Sequence, residues 1–95
     1  MELKSGKFVW DIERESANIA KHGIDFTTAK KVFFDTRRKI FTDSKHSAQE
    51  PRYFCIGKVN TRILTVRFAY REGLIRIFGA GYWRKGKVYY EKKDT

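Results

Sequence analysis

The chain has few of the residues that cross-link or interrupt a small fold. Among 95 residues there is one cysteine, Cys55, and one proline. A lone cysteine excludes a disulfide framework and a thiolate metal site, and we expect Cys55 to be a small buried side chain in a strand. Hydrophobic runs fall short of the ~20 residues that cross a bilayer, and residues 1–4 lack the apolar segment of a signal peptide. We therefore expect a single cytoplasmic domain over residues 1–95, with no membrane partner and no cofactor.

Acidic residues are scarce relative to basic ones. Twenty-one lysines and arginines face 11 aspartates and glutamates, which gives a net charge of +10 and a pI near 10.0. From Arg62 onward, 9 basic residues are opposed by 3 acidic ones. A potential of this sign attracts polyanions, so nucleic acid, an acidic protein or an anionic membrane surface would fit. A membrane surface would require a basic amphipathic helix, whereas basic residues on strand-like segments with aromatics between them favour nucleic acid.

The first third of the chain predicts a short strand followed by two helices. Phe8–Trp10 has the pattern of a strand, and Asp11 is a suitable N-cap for a helix over Ile12–His22. A second helix is expected over Phe26–Phe34, too short to be stable without docking on a sheet. Four residues are expected to form the inward stripe of the first helix: Ile12, Ser16, Ile19 and Ala20.

After the second helix the apolar residues alternate with period two, which is typical of strands. Lys39–Thr42 is a weak candidate strand, and a polar loop follows it. Turn residues then separate three further strands, which would form an antiparallel meander. We expect an α+β fold, in which two N-terminal helices pack on one face of a curved antiparallel sheet. The three strands are expected at Arg52–Val59, Arg62–Tyr70 and Leu74–Tyr82.

Two arginines on neighbouring predicted strands share one side of the sheet. If the apolar residues of these strands face the helices, Arg67 and Arg76 point away from the helices together. Directly opposite side chains lie ~5 Å apart, so the two guanidinium groups would repel unless an anion lies between them. A scissile phosphate would serve, and so would Glu50 or Asp43. Solvated strand arginines with no catalytic role fit the pattern equally well.

Two histidines are candidates for proton transfer. His46 lies in the polar loop with Glu50, and it is either a general base or a solvated loop residue. The simpler role for Glu50 is that of ion-pair partner to Arg52. We interpret His22 first as a structural residue, bonded to Asn18 or capping the first helix, and second as a contact for RNA.

An aromatic run near the end of the chain is mixed with cations. Bases of single-stranded RNA stack on aromatic rings that lie beside positive charges. Trp83 beside Arg84 is the better stacking candidate, whereas Tyr82 and Tyr89 are expected to pack against the rest of the fold. The candidate RNA-binding residues are Lys21, His22, Trp83, Arg84 and Lys85.

Several residues at fixed spacing carry a family resemblance. The most specific are Trp10-Asp11, Asn18, the run Lys21-His22-Gly23-Ile24, and Phe26, and a closing Tyr90-Glu91 extends the match. With these residues the chain resembles the BrnT family. The resemblance implies a RelE-like ribonuclease toxin that lowers translation, acting on RNA either free or on the ribosome. It also implies a BrnA-like ribbon-helix-helix antitoxin as partner. The toxin would be bound to operator DNA only through this antitoxin. The catalytic set that we assign is Arg67, Arg76, His46, Glu50, Arg52 and Tyr90.

The chain departs from the family pattern near its C-terminal end. Gly81 stands where the family commonly has a second arginine, and Lys87 lies near the position of a family glutamate. Arg84 or Lys85 would then have to supply the missing charge. Two hypotheses follow. The first is a metal-independent endoribonuclease, and the second is a non-catalytic module or corepressor that binds RNA or the antitoxin.

Overall fold

A single mixed sheet of six strands organises residues 1–92, the part of the chain that the computed structural model describes. The strands lie side by side in an order that differs from their order in the sequence. In that spatial order they are β1 (Glu2–Ser5), β2 (Phe8–Asp11), β6 (Leu74–Gly81), β5 (Arg62–Arg71), β4 (Tyr53–Val59) and β3 (Lys39–Thr42).

Three α-helices accompany the sheet within these residues. The second is only four residues long and continues as a 3₁₀ segment, Lys30–Phe34, so the helix expected over Phe26–Phe34 is divided into two kinds of helix. No helix in this part of the chain has the length and apolar character needed to span a bilayer. The α-helices are α1 (Ile12–His22), α2 (Phe26–Ala29) and α3 (Arg84–Glu91).

The expectation of a purely antiparallel sheet is wrong at one position. β4, β5 and β6 form the predicted meander, but β2 runs parallel to β6, with Phe8 opposite Ile75. Between β2 and β6 the chain forms two helices and the strands β3 to β5. The two neighbours are therefore joined by a long crossover instead of a hairpin, and a parallel pair requires such a connection. β1 was not predicted, because its exposed and mostly polar residues show no alternation. It is held by hairpin pairing to β2.

The inward side of α1 is polar, contrary to the predicted apolar stripe. Asn18 is buried, and its amide donates to the carbonyl of Ala80 at 3.0 Å and accepts from the Ala80 N–H at 3.1 Å. Glu15 accepts a hydrogen bond from Trp10 Nε1 at 3.1 Å. These two side chains satisfy polar groups of β6 and β2 where the helix packs on the sheet. Three of the four residues expected to face inward are exposed: Ser16, Ile19 and Ala20.

The main core lies between one face of the sheet and the helical segments that cover it, α1, α2 and the 3₁₀ segment. Cys55 is fully buried there, as expected, and burial raises the pKa of its thiol to about 12. The backbone of the 3₁₀ segment approaches β4 closely, since a Cβ at Gly57 would lie 2.8 Å from the Val32 carbonyl oxygen. The largest fully buried side chains of this core are Trp10, Phe26, Phe68, Leu64 and Ile77.

The third helix packs on the opposite face of the sheet, which we call the outer face. It was not predicted, because its sequence is short, basic and interrupted by a glycine. That glycine, Gly86, is what brings the helix onto the sheet, since a Cβ there would overlap the hydroxyl of Thr65. α3 covers one end of the outer face and leaves the other end to charged side chains.

Candidate functional site

Arg67 and Arg76 both lie on the outer face, on adjacent strands. Arg67 is opposite Gly79 in the register of β5 and β6, and Arg76 is opposite Ala69. The Arg67 side chain extends over the Gly79 backbone, where a Cβ would lie 2.9 Å from its Nη2 atom. A register irregularity after Arg67 shifts the pairing between these two positions. The glycine therefore provides the space that the Arg67 guanidinium occupies.

The anions nearest to these arginines are carboxylates of the chain. Arg76 Nη2 lies 2.5 Å from Glu2 Oε2; the Glu2 side chain is 56% exposed and that of Arg76 is 14% exposed. Glu50 pairs with Arg71 at 2.7 Å and with Arg52 at the longer distance of 3.8 Å. The hydrogen bond from Arg71 holds the pKa of the Glu50 carboxyl below its ordinary value. The expected Glu50–Arg52 pair is thus secondary to a Glu50–Arg71 pair that sequence reasoning missed.

Both outer-face arginines retain an unused donor. The Nε atoms of Arg67 and Arg76 are buried and have no hydrogen-bond partner among residues 1–92. A buried donor left unpaired costs about 1–3 kcal/mol, so such groups in a native fold require an explanation. An anion bound between the two side chains would lie close to these donors and would interact favourably with them. Their arrangement fits a site that is completed by a ligand.

An aromatic ring supports the cations at this end of the outer face. The Arg52 guanidinium lies 4.0 Å from the centre of the Phe78 ring, and that of Arg14 lies 5.4 Å from it. Cations are attracted to the face of an aromatic ring, which orients both arginines. We call Arg52, Arg67, Arg71 and Arg76 the arginine cluster. Neither Arg14 nor Phe78 was singled out from the sequence, because their contacts depend on the tertiary fold.

His46 stands at the edge of the cluster with a buried acid behind it. Its Nδ1 lies 2.8 Å from Oδ2 of Asp43, whose side chain is buried whereas the imidazole is largely exposed. A cavity of about 510 Å³ is lined by His46 together with Glu50, Arg52 and Arg71. A carboxylate on Nδ1 fixes the ring and leaves Nε2 for proton transfer. The sequence analysis placed His46 with Glu50 and missed this pair, although the three-residue spacing of Asp43 and His46 could have indicated it.

Tyr90 lies outside this group. Its hydroxyl donates to Asp35 Oδ2 at 2.6 Å, and the same carboxylate oxygen accepts from the Lys58 N–H at 2.7 Å. Lys58 is five residues along β4 from Tyr53, or about 17 Å at the rise of a strand, whereas Arg52 directly precedes Tyr53. The catalytic set assigned from the sequence is therefore not assembled around Tyr90, which instead ties α3 to the segment before β3.

The Tyr90–Asp35 contact shifts both of its groups. Burial alone would raise the pKa of the Asp35 carboxyl, but hydrogen bonds from Tyr90 and from backbone N–H groups lower it below its ordinary value. Burial and the bond to Asp35 raise the pKa of the Tyr90 hydroxyl. The pair thus favours a carboxylate that accepts from a protonated phenol.

The Trp83 ring lies directly against Gly81, the residue that departs from the family pattern. A Cβ at position 81 would be 2.7 Å from atoms of the indole ring. His22 contacts the same ring edge-on, with centroids 5.5 Å apart, while the Asn18 amide is bonded to Ile24 and Ala80. The expected contact between His22 and Asn18 is replaced by one between His22 and Trp83. A larger residue at position 81 is incompatible with this position of the ring.

A basic groove lies beyond Trp83. Its volume is about 420 Å³, and it is lined by Arg84 together with Trp83, the two residues that the sequence analysis proposed for base stacking. The Arg62 guanidinium lies 3.5 Å from the centre of the Tyr82 ring, which is half-buried against the core as predicted. Lys85 lines a neighbouring apolar cleft instead, and Lys21 is exposed on the last turn of α1. The other cations of the groove are Lys58, Arg62 and Lys87.

Metal ligands do not cluster in the described part of the chain. Among residues 1–92, no three or more His, Cys, Asp or Glu side chains are placed to hold one metal ion.

Comparison with known proteins identifies the family. Residues 10–86 match the family described as "Ribonuclease toxin, BrnT, of type II toxin-antitoxin system". The matched span includes the arginine cluster, the Asp43–His46 pair and Trp83, and it stops before Tyr90. A search of the curated proteins returned no match. Because the match covers most of the sequence, the chain belongs to the BrnT family of ribonuclease toxins of type II toxin–antitoxin systems.

Proposed function

We propose that this single-domain chain is an endoribonuclease toxin, which cuts RNA and thereby inhibits translation. Family membership supports a ribonuclease and an antitoxin partner. The observation that carries the proposal is the arginine cluster beside the Asp43–His46 pair on one accessible face. A phosphodiester needs a base for the attacking hydroxyl and positive charge for the developing phosphorane, and the outer face offers both.

The proposed reaction uses the RNA's own 2′-hydroxyl. His46 Nε2 accepts the 2′-hydroxyl proton, and the 2′-oxygen attacks the adjacent phosphorus. The bond from phosphorus to the 5′-oxygen breaks and leaves a 2′,3′-cyclic phosphate. The leaving oxygen takes a proton from water, and the His46 imidazolium gives its proton to the hydroxide that results. Asp43 stabilises the imidazolium that forms. No metal or cofactor takes part in this scheme.

The arginine cluster would stabilise negative charge on the phosphate. Arg67 and Arg76 have unpaired Nε donors, and Arg52 is held over the Phe78 ring beside the His46 cavity. Glu2 and Glu50 neutralise part of the cluster in the free protein, and both ion pairs are solvent-accessible. Exposed ion pairs contribute little to stability, so exchange of a carboxylate for a phosphate is energetically feasible.

The partner and location belong to the same proposal. A BrnA-like ribbon-helix-helix antitoxin would neutralise the toxin and connect it to operator DNA, and the site of action would be the cytoplasm. The α+β fold, with helices on both faces of the sheet, is compatible with a RelE-like toxin, whose RNA is cut free or on the ribosome.

A non-catalytic RNA- or antitoxin-binding module is the second candidate. The observation that favours it is the Trp83 ring on Gly81, at the position where the family commonly has an arginine. A ring binds bases but does not neutralise a phosphorane. In that case the chain would bind RNA without cutting it.

One assay separates the two candidates. Purified protein is incubated with single-stranded RNA in excess EDTA, and the product ends are identified. We expect cleavage to persist and to leave 2′,3′-cyclic phosphate. Binding with no cleavage would favour the second candidate. Activity that is lost in EDTA and restored by Mg²⁺ would rule out the proposed scheme. Induction of the chain in bacteria should arrest growth, and the cognate antitoxin should restore it.

A further inference from the structure

An apolar cleft separates α3 from the outer face of the sheet. Its volume is about 440 Å³, within the range of about 300–1,000 Å³ that is typical of small-molecule sites. Gly86 holds one part of α3 directly on Thr65, so the cleft lies beside that contact rather than under the whole helix. Its walls carry four aromatic side chains: Phe41, Phe54, Trp83 and Tyr89.

Three of these rings, those of Phe41, Phe54 and Tyr89, form a stack that stays partly open to solvent. The centroids of Phe41 and Phe54 are 5.0 Å apart at an interplanar angle of 25°, and those of Phe41 and Tyr89 are 4.8 Å apart. Phe41, Phe54 and Trp83 are half-buried, and Tyr89 is 44% exposed. Rings that only filled a core would be closed off on all sides. The cleft therefore presents partly exposed aromatic side chains to a ligand.

The cleft lies between two groups of cations. Phe54 is opposite Arg67 in the register of β4 and β5, so the two side chains lie about 5 Å apart. Arg67 belongs to the arginine cluster. Trp83 lines both the cleft and the basic groove, which contains Arg62 and Arg84. An occupant of the cleft therefore has positive charge on both sides. A single-stranded polynucleotide has this pattern, with a phosphate on each side of a planar base.

We propose that the cleft binds one unpaired nucleobase of single-stranded RNA, next to the phosphate that Arg67 contacts. The inference rests on the proposed function in taking RNA as the polyanion. It adds a specificity site, because a base in the cleft fixes which phosphodiester reaches Arg67 and Arg76. A base within a duplex is stacked between its neighbours and does not enter, so the cleft selects single strands.

The test uses 2′-O-methyl oligonucleotides, which bind but cannot undergo attack by the 2′-oxygen. Wild type, Tyr89→Ala and Tyr70→Ala are compared. Tyr70 is a matched control because it is also an exposed tyrosine, 55% accessible, whose ring contacts Tyr53 and Phe68 on the helix-covered side of the sheet. Neither substitution changes the net charge. A second cleft variant, Phe54→Leu, guards against an effect peculiar to Tyr89, and thermal melting shows whether each protein is folded.

Each oligonucleotide lacks one base at a different position along the strand. For wild type and Tyr70→Ala, removal of one base should weaken binding about 5- to 150-fold, the equivalent of one stacking contact. Tyr89→Ala and Phe54→Leu should bind intact strands more weakly than wild type does. Removal of the base should then weaken their binding little further, because the ring with which the base interacts is already absent or smaller. Affinity for a duplex of the same length should be equal in all four proteins.

Two results would overturn the inference. One is equal affinity of wild type for all the strands, as expected if the cleft receives a protein partner or nothing. The other is an undiminished effect of base removal in both folded cleft variants. Cleavage of ordinary RNA by wild type is measured in parallel. Cleavage without cleft-dependent binding would leave the proposed function standing alone, and cleft-dependent binding without cleavage would leave only the base site.

Discussion

The Tyr90 hydroxyl lies 2.6 Å from the Asp35 carboxylate, and this contact fixes α3 to the segment that precedes β3. Asp35 also accepts from the Lys58 N–H, so one carboxylate joins the helix, the segment and β4. α3 forms one wall of the apolar cleft and borders the basic groove, so the contact helps to hold both of these sites together.

Tyr90→Phe should lower the free energy of unfolding by about 1 kcal/mol, because a partly exposed charge-assisted hydrogen bond is lost. The folded-state pKa of Asp35 is below its ordinary 3.8, so its contribution is present above that value and is lost as the pH falls further. The pKa of Tyr90 is above its ordinary 10.0, so its contribution is lost as the pH rises through the raised value. Denaturant titrations should show the difference in free energy of unfolding between Tyr90→Phe and wild type from about pH 4 to 10. That difference should become smaller below and above this range. A difference independent of pH would contradict this assignment.

Arg76→Ala and Glu2→Gln separate an RNA contact from a structural ion pair. The pair is accessible on the Glu2 side, so neither substitution should change the free energy of unfolding by much more than about 0.5 kcal/mol. Arg76→Ala should reduce the cleavage rate by an amount equivalent to about 2–4 kcal/mol, the loss of one donor to the developing charge. It should also reduce the log–log salt slope of binding to single-stranded RNA by about 0.7. Glu2→Gln removes a competing carboxylate and should keep or increase affinity. Two equally destabilised variants with unchanged salt slopes would assign Arg76 to a structural role.

Gly81→Ala tests the contact between the backbone and the Trp83 ring. The added Cβ would lie 2.7 Å from the indole, so the ring must shift, at a cost typical of overpacking, about 1–3 kcal/mol. In a Trp83→Leu background the same substitution should cost less, because the ring is gone. Thermal melting of the four proteins gives the coupling. Additive effects of the two substitutions would show that position 81 does not determine where the ring lies.

Much of the sheet could be predicted because alternation records which side of a strand is buried. β4, β5 and β6 lie close to their expected bounds, and Arg67 and Arg76 share a face by the same parity. The apolar pattern could not predict β1, whose exposed residues are held by backbone pairing to β2 and by the Glu2–Arg76 ion pair. It also missed α3, since the contact that seats this helix is a glycine rather than an apolar side chain.

The candidate site was only partly accessible from the sequence. His46, Glu50 and Arg52 are near one another in the chain, and they line one cavity. The partners that define the geometry come from distant segments. Arg71 is the main partner of Glu50, and Phe78 supports Arg52. Such contacts depend on how the strands are ordered, which local patterns do not encode.

The most direct test of the account is the cleavage rate of His46→Ala, compared with wild type and with His22→Ala. His22 is the other histidine of the chain, and it contacts Trp83 rather than the arginine cluster. The measurement follows a fluorescent single-stranded RNA at saturating protein in excess EDTA, with folding of each variant checked by thermal melting. We expect His46→Ala to cleave about 10²–10⁴-fold more slowly than wild type, since this is the usual contribution of a general base. The variant should bind RNA with unchanged affinity. His22→Ala should retain most of the rate. A folded His46→Ala protein that cleaves as fast as wild type would contradict the account.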